Sequence, residues 1–277
     1  MKNKNNKCSH ELGYKLMKPI VACHFKRVYH PVVIGSENIP DKGPLVFCGN
    51  HRHKDDQYNV MIATNHVIHM LSKDEYFKGK KAWFYRAAGC IPVDRTIHDE
   101  NAKSEARNIL HNKGCIGLFP EGTRNEVTCK DAELEKLEKI LNISKEEIIE
   151  KIKDKSIRTT QVNLLIELRN QNKITKEELK EFVLDADNAL LKLLKKKIIT
   201  KSEYEESLLL PFKFGAVSLA KKENALIIPF ATTGLYNKEK NQLITRIGKP
   251  IDISNMDLES ANKLLRETMI KLMQKSE

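Results

Sequence analysis

The 277-residue chain lacks any apolar run long enough to cross a bilayer. A spanning helix needs about 18 or more apolar residues, and the apolar stretch within residues 224–237 is shorter and contains Pro229 and two threonines. The first residues carry lysines without an apolar signal core, so we expect no secretory leader. These observations predict no membrane-spanning helix and favour a globular protein.

Cysteine forms no recognisable motif in this sequence. None of the six cysteines makes a C-x-x-C pair, and none lies near a histidine pair at zinc spacing. We therefore expect a reduced, cytosolic protein with inert thiols. The H-E-x-x-H pattern of zinc hydrolases is also missing, so the sequence gives no strong metal signature.

Glycine and proline are missing from residues 123–210, although the chain has 12 glycines and 9 prolines. Without the usual turn residues, this block favours helices joined by polar connections. A hydroxyl followed three residues later by Glu marks helix starts at Ser144, Thr175 and Thr200. The last two lie in a loose repeat that resembles the short helix–turn–helix unit called SHOCT. We expect a helical spacer or lid, with a partner-binding module as the alternative.

Outside this block, short apolar runs alternate with polar segments of helical period. The runs VVIG, PLVFCG, VIHML, CIPV, CIGLF and ALIIPFATT predict buried strands. This alternation predicts an α/β layered architecture, in which ligands bind at the ends of strands.

The charged stretch CGNHRHKDDQYN follows the predicted strand PLVFCG. His51 stands where a helix can begin, and Asp56 falls in the first turns of that helix. The carboxylate can orient the imidazole, whose free nitrogen can take a proton from an alcohol. By residue type alone, a structural or surface histidine, or a metal site of His51, His53 and Asp56, remains an alternative.

Four motifs occur in order along the chain: NHRHKDD, GCIPVDR, FPEGTR and LIIPF. With SENIPDKGP and PFKFGAVSLA, they resemble the glycerolipid acyltransferase family, which includes the lysophosphatidic acid acyltransferases. The resemblance spans about residues 12–124 and 211–253. It implies a central, mostly parallel or mixed sheet flanked by helices, here with an all-helical insertion. It also implies transfer of a fatty acyl group from a thioester to a hydroxyl of a glycerol phosphate.

The resemblance implies that His51 is the general base and that Asp56 is its orienting carboxylate. The activated hydroxyl would attack the thioester directly, and no G-x-S-x-G elbow is present that would favour an acyl-enzyme. The residues predicted to bind substrate are Arg95, Glu121, Gly122, Thr123, Arg124 and Lys213.

Arg95 and Arg124 suit phosphate binding because a guanidinium presents a planar fork of donors and stays charged. Each follows a short apolar run, so we expect both at strand ends close to His51. The alternatives are an ion pair of Arg95 with Asp94 and a plain surface charge at Arg124. Lys213 either adds positive charge to the phosphate site or is a surface lysine.

Two features depart from the family pattern. His53 replaces a serine found in many members, which affects the expected acceptor or donor preference. The helical block directly follows FPEGTR. The predicted organisation is a basic amphipathic N-terminal segment (1–27), an acyltransferase domain (28–124 and 211–277) and a helical insertion (125–210).

The N-terminal segment also predicts contact with an anionic membrane surface. Leu12, Leu16 and Ile20 fall at helical spacing, and a basic residue near such a surface gains about 1 kcal/mol. The alternative is a helix packed on the domain with an incidental basic rim. Residues 1–30 contain one acid, Glu11, and seven basic residues: Lys2, Lys4, Lys7, Lys15, Lys18, Lys26 and Arg27.

The sequence therefore predicts a peripheral enzyme at the cytoplasmic face of the cell membrane. It would acylate the lysophospholipid 1-acyl-glycerol-3-phosphate to phosphatidate, with an acyl carrier protein or coenzyme A thioester as co-substrate and no other cofactor or metal. The alternatives are glycerol-3-phosphate or another lysolipid as acceptor, and a non-catalytic lipid- or anion-binding protein. We expect no nucleic-acid partner, because RNP, KH, zinc-finger and helix-turn-helix patterns are absent.

Overall fold

The computed structural model describes residues 4–97, 99–239 and 242–274. Lys2, one of the basic residues of the predicted N-terminal segment, lies outside the described residues. Within the described ranges, seven strands form one sheet. They are β1 (Val32–Ile34), β2 (Leu45–Gly49), β3 (Ile68–Lys73), β4 (Ile91–Val93), β5 (Cys115–Leu118), β6 (Leu226–Gly234) and β7 (Leu243–Ile247).

The strands stand in the order β1-β7-β6-β2-β5-β3-β4. Every neighbouring pair is parallel except β6 and β7, which run antiparallel. All residues of β2 are buried, as expected for a parallel strand covered on both faces, and such strands appear in sequence as continuous apolar runs. The predicted α/β fold with a mixed, mostly parallel sheet and flanking helices is confirmed.

Helices lie in most of the connections between strands. In the described ranges they are α1 (Lys4–Tyr29), α2 (Asp56–Ala63), α3 (Ala82–Ala87), α4 (Glu100–His111), α5 (Asp131–Leu141), α6 (Lys145–Ile152), α7 (Thr159–Asn170), α8 (Lys176–Leu184), α9 (Ala186–Lys195), α10 (Lys201–Glu206), α11 (Gly215–Lys222) and α12 (Leu258–Gln274). None of the helices described here combines the length and the apolarity that a membrane crossing requires.

The helices α5–α10 form the insertion, between β5 and α11. Helices begin directly after Ser144, Thr175 and Thr200, whose hydroxyls each accept a hydrogen bond from the third amide of the helix. Thr175 and Glu178 form a complete capping box, in which each side chain bonds the main chain of the other residue. The Thr175 Oγ1 accepts from the Glu178 N–H at 3.0 Å, and the Glu178 carboxylate accepts from the Thr175 N–H at 2.7 Å. These are the helix starts that the sequence predicts.

The insertion shares its hydrophobic core with the sheet. Leu134 and Leu165 of the insertion lie in the same buried cluster as Val46 and Ile116 of the sheet. Phe47 belongs to a second cluster, because successive side chains of a strand point to opposite faces. Full burial of one such side chain is worth about 1.5–3 kcal/mol. The insertion is therefore packed on one face of the sheet, while the domain bounds given above stay predictions.

Candidate active site

His51 lies in the loop between β2 and α2, and Asp56 is the first residue of α2. The His51 Nδ1 is 2.9 Å from the Asp56 Oδ2. An ionised carboxylate can only accept hydrogen bonds, so Nδ1 carries the proton and Nε2 keeps a free lone pair. The structure thus brings the two predicted residues together in the arrangement that a general base requires.

The Asp56 carboxylate is fully buried and is held by several donors. Its Oδ2 also accepts from the main-chain N–H groups of Arg52 at 2.7 Å and His53 at 2.8 Å, and the Tyr236 hydroxyl donates to its Oδ1. Burial alone would raise the pKa of Asp56, but the hydrogen bond and charge of His51, with the other donors, lower it below its ordinary value. The carboxylate therefore stays ionised and fixed in orientation.

Sequence reasoning missed Tyr236, which follows β6 and lies 180 residues from Asp56. The Asn59 Nδ2 donates to the Tyr236 hydroxyl at 2.7 Å. The hydroxyl therefore accepts one hydrogen bond from Asn59 and donates its own hydrogen to the Asp56 carboxylate. The ring of His53 stacks on the Tyr236 ring at 3.9 Å between centroids. Burial lowers the pKa of His53. The histidine that departs from the family pattern thus packs against the residue that fixes Asp56.

The FPEGTR segment holds the other side of His51. The Phe119 ring stacks on the His51 ring at 4.1 Å between centroids and 10° between planes. The His51 N–H donates to the Glu121 Oε1 at 2.7 Å, and the Leu210 N–H donates to the Glu121 Oε2 at 2.9 Å. The sequence predicts Glu121 for the acceptor pocket, whereas here both of its oxygens bind main-chain N–H groups.

Glu121 is only 3% exposed. Burial raises the pKa of Glu121 to about 7, and the two N–H donors oppose that rise only in part.

The second contact to the His51 main chain comes from Asn125, whose N–H donates to the His51 carbonyl at 2.6 Å. Sequence reasoning did not single out Asn125, because an asparagine after an apolar strand gives no local signal of such a contact.

A cavity of about 490 Å³ opens beside the dyad. His51, Arg95, Thr123 and Arg124 line it close to one another, because Glu121 and Gly122 of one turn bind His51 and Arg95, and we call this part its polar end. Its remaining walls are mostly apolar or aromatic and include Tyr14, Met17 and Val21 of α1, Met61 of α2, and Phe84 of α3. The shape and chemistry suit a ligand with an anionic head and an apolar tail.

Both predicted phosphate-binding arginines are at the polar end of this cavity. The Arg95 Nη1 donates to the Gly122 carbonyl at 2.6 Å, and its side chain is exposed. The Arg124 Nη1 lies 3.7 Å from the Glu126 Oε2. The Thr123 hydroxyl accepts from the Lys130 Nζ at 3.3 Å. The structure therefore places three predicted residues at the cavity lined by His51.

Gly122 and Lys213 lie against each other and are not among the described residues that line the cavity. Gly122 has a φ of +70°, and a Cβ there would stand 2.8 Å from the Lys213 Cε. Glycine meets both conditions because it has no Cβ. The Lys213 N–H donates to the Pro120 carbonyl at 2.9 Å, so the lysine packs on the turn.

Among the described residues, no group of three or more His, Cys, Asp and Glu side chains is placed to hold a metal ion.

A family model described as Acyltransferase matches residues 30–233. The chain belongs to the acyltransferase family, and membership implies an acyl donor and a lipid acceptor. The fold is similar to the crystal structure of the 1-acyl-sn-glycerophosphate acyltransferase PlsC from Thermotoga maritima, with a TM-score of 0.54 and 16% sequence identity over 98% of this chain and 81% of that chain. At this identity the likeness shows the fold alone. No curated protein matches the chain.

Proposed function

We propose that the protein is a peripheral membrane O-acyltransferase acting on 1-acyl-sn-glycerol-3-phosphate. It transfers a fatty acyl group from an acyl carrier protein or coenzyme A thioester to the free hydroxyl and yields phosphatidate. The observation that carries this proposal is the cavity itself, which is lined by His51, Arg95 and Arg124 and otherwise mostly by apolar and aromatic side chains, with Asp56 buried behind the His51 ring.

The proposed reaction begins when the His51 Nε2 takes the proton of the acceptor hydroxyl. The hydroxyl oxygen then bonds to the thioester carbonyl carbon, and collapse of the tetrahedral intermediate breaks the carbon–sulfur bond. The imidazolium returns its proton to the leaving thiolate, so the products are an ester and a free thiol. Asp56 stabilises the imidazolium, and such general-base catalysis is typically worth about 10²–10⁴-fold in rate.

The two arginines support a phosphate-bearing acceptor. Arg95 and Arg124 line the same end of the cavity as His51, where a bound phosphate would hold the glycerol hydroxyl near the Nε2. Arg95 keeps donors beyond the one used on Gly122, because a guanidinium has five N–H groups. The apolar walls favour a lysolipid over glycerol-3-phosphate, since a bare glycerol phosphate would leave them unfilled.

The helix α1 supports the membrane proposal. Leu12, Leu16 and Ile20 are 56%, 65% and 73% exposed, whereas Tyr14 and Phe25 are 6% and 2% exposed. One face of α1 therefore packs on the domain and walls the cavity, while the opposite face carries a leucine–isoleucine stripe. An anionic membrane surface on the cytoplasmic side would cover this stripe and deliver lipid beside the cavity.

The membrane proposal is tested by sedimentation with vesicles that contain phosphatidylglycerol. We expect Leu16→Glu to reduce the bound fraction about tenfold, because it puts a charge on the apolar stripe. The matched control is Leu191→Glu, at a leucine of the insertion that is 38% exposed. Equal binding by both variants and the wild type would exclude α1 as the contact.

The catalytic proposal is tested with purified protein, three acceptors and two donors. The acceptors are 1-acyl-glycerol-3-phosphate, glycerol-3-phosphate and lysophosphatidylcholine, and the donors are acyl carrier protein and coenzyme A thioesters. We expect turnover with the first acceptor and a loss of at least about 10²-fold in His51→Ala. Lipid binding without turnover would instead indicate a non-catalytic binding protein, and full turnover in the variant would exclude His51 as the base.

A further inference from the structure

The start and the end of the helical insertion meet beside His51 and are hydrogen-bonded to each other there. We call this group of residues the insertion clamp. It consists of Glu121 and Asn125 before α5, Thr160 in α7, and Ser207 and Leu210 after α10. Two routes lead through it from the main chain of His51 to the end of the insertion.

The first route starts at the His51 carbonyl, which accepts from the Asn125 N–H at 2.6 Å. The Asn125 side chain makes paired bonds with Thr160: its Nδ2 donates to the Thr160 Oγ1 at 3.0 Å, and its Oδ1 accepts from the Thr160 N–H at 3.2 Å. The Thr160 hydroxyl then donates to the Ser207 carbonyl at 2.5 Å. Asn125 and Ser207 are 2% and 3% exposed, so these bonds are largely shielded from water.

The second route starts at the His51 N–H. This group donates to the Glu121 Oε1, and the other oxygen of the same carboxylate accepts from the Leu210 N–H. Both polar groups of the His51 main chain are therefore bound, the N–H by Glu121 just before the insertion and the carbonyl by Asn125 at its start. Glu121 is bound in turn by Leu210 at the end of the insertion, and Asn125 is linked to Ser207 near that end through Thr160.

Asn50, the residue before His51, is held by a different part of the molecule. Asn50 is held by the sheet, because its side chain donates to the Thr232 carbonyl at 2.9 Å and accepts from the Thr232 N–H at 2.7 Å. The loop of His51 thus has one anchor in β6 and another in the insertion. A simple spacer or lid would need no bonds to the His51 main chain.

We propose that the insertion positions His51 for acyl transfer through the insertion clamp, with Asn125 and Thr160 as positioning residues. The inference rests on the proposed role of His51 as base. The direction of the Nε2 depends on the main chain that carries the ring, and a misplacement of about 1 Å at a reacting group can cost about 10²-fold in rate. Loss of the side-chain bonds between Asn125 and Thr160 frees the Asn125 N–H to move and with it the His51 carbonyl.

The test compares two threonine variants of the insertion. Thr160→Ala removes a clamp hydroxyl, whereas Thr200→Ala removes the hydroxyl that caps α10 and accepts from the Glu203 N–H at 3.2 Å. We expect Thr160→Ala to lower kcat about tenfold with KM for both substrates within about twofold, and Thr160→Ser to restore kcat. Thr200→Ala should keep the wild-type kcat while lowering Tm.

Two results would overturn the inference: an unchanged kcat in Thr160→Ala, or losses of kcat in both alanine variants that follow their losses of Tm. Asn125→Ala provides a second variant in case Thr160→Ala does not fold. Both changes break the bond between the Asn125 Nδ2 and the Thr160 Oγ1 and interrupt the same route, so the double variant should lose less kcat than the product of the two single losses. Additive losses would also contradict the clamp.

Hydrogen exchange followed by mass spectrometry tests the clamp without any turnover. The peptide covering residues 50–57 should exchange faster in Thr160→Ala than in the wild type and should be unchanged in Thr200→Ala. Unchanged exchange in Thr160→Ala overturns the inference even in an active enzyme. If the wild type transfers no acyl group, the proposed function fails, while this measurement still decides whether the insertion holds the His51 loop.

Discussion

Two buried carboxylates flank His51, and their surroundings move their pKa values in opposite directions. On the α2 side, Asp56 faces the imidazole and a tyrosine hydroxyl, and its pKa is lowered although burial opposes this. On the insertion side, Glu121 accepts from two main-chain N–H groups, and burial raises its pKa to about 7. Burial alone therefore does not decide the charge of a carboxylate; the donors around it do.

This difference separates two tasks within one loop. Asp56 binds the side chain of His51 and stabilises a positive charge on the ring. Glu121 binds the main chain of His51 and fixes its position. The proposed chemistry requires a neutral His51 to accept the proton and an ionised Asp56 to stabilise the imidazolium that forms. Glu121 holds two main-chain N–H groups together, one on each of its oxygens.

The largest expected effect comes from Asp56→Asn. The amide keeps the size of the side chain but loses the charge that stabilises the imidazolium, and it can present a donor to the Nδ1 and so favour the wrong tautomer. We expect kcat to fall by about 10²–10⁴-fold, measured in the acyl-transfer assay. A fall of less than about threefold would mean that the two carboxylates do not differ as the comparison requires.

The lowered pKa of Asp56 also predicts that the free energy of unfolding falls at acid pH. A carboxylate whose pKa is lowered in the folded state stabilises the fold above its ordinary pKa of 3.8, and this stabilisation is lost as the pH falls through the lowered value. Urea unfolding of the wild type and Asp56→Asn between pH 3 and pH 6 checks this. The difference between their unfolding free energies should shrink on the acid side.

Glu121→Gln should have a smaller effect on turnover, about tenfold, because one of its two main-chain bonds is lost while the Asn125 contact to His51 remains. Its pH dependence has the opposite sign from that of Asp56. Since the pKa of Glu121 rises from 4.5 to about 7 on folding, its stabilising contribution is complete below pH 4.5 and is lost as the pH rises through 7.

The expected loss of wild-type stability across that window is on the order of 3 kcal/mol. The measurement is the difference in unfolding free energy between wild type and Glu121→Gln at several pH values, with Glu135→Gln on the exposed surface of α5 as the control. Parallel pH curves for wild type and Glu121→Gln would show that Glu121 does not titrate in this range. The contrast between the two carboxylates would then fail.

Several contacts of the site had no signal in the sequence. The pairing of His51 with Asp56 is local, so a helix start after an apolar strand makes it possible, and the resemblance to the family implied it. Tyr236 reaches Asp56 from 180 residues away, and Leu210 reaches Glu121 from 89 residues away. No periodicity or motif links such residues, because their proximity depends on how β6 and the insertion pack around the loop.

For helix α1, too, the sequence predicts one feature and only the structure shows the other. Its apolar spacing predicts an amphipathic helix, and the exposed stripe of Leu12, Leu16 and Ile20 agrees with it. The spacing does not reveal that the opposite face, with Tyr14 and Met17, walls the cavity beside His51. A hydrophobic period identifies a face of a helix but not the surface that the face meets.

By itself the amino-acid sequence determined the strands, the helix starts of the insertion, the order of the motifs and the His51–Asp56 pair. These depend on local propensity, capping and short spacing, which act within a few residues. Only the tertiary structure decided the tasks of Glu121 and Tyr236 and the contact between the insertion and His51. Those depend on which polar groups are buried together, and burial brings distant parts of the chain to the same hydrogen-bond partners.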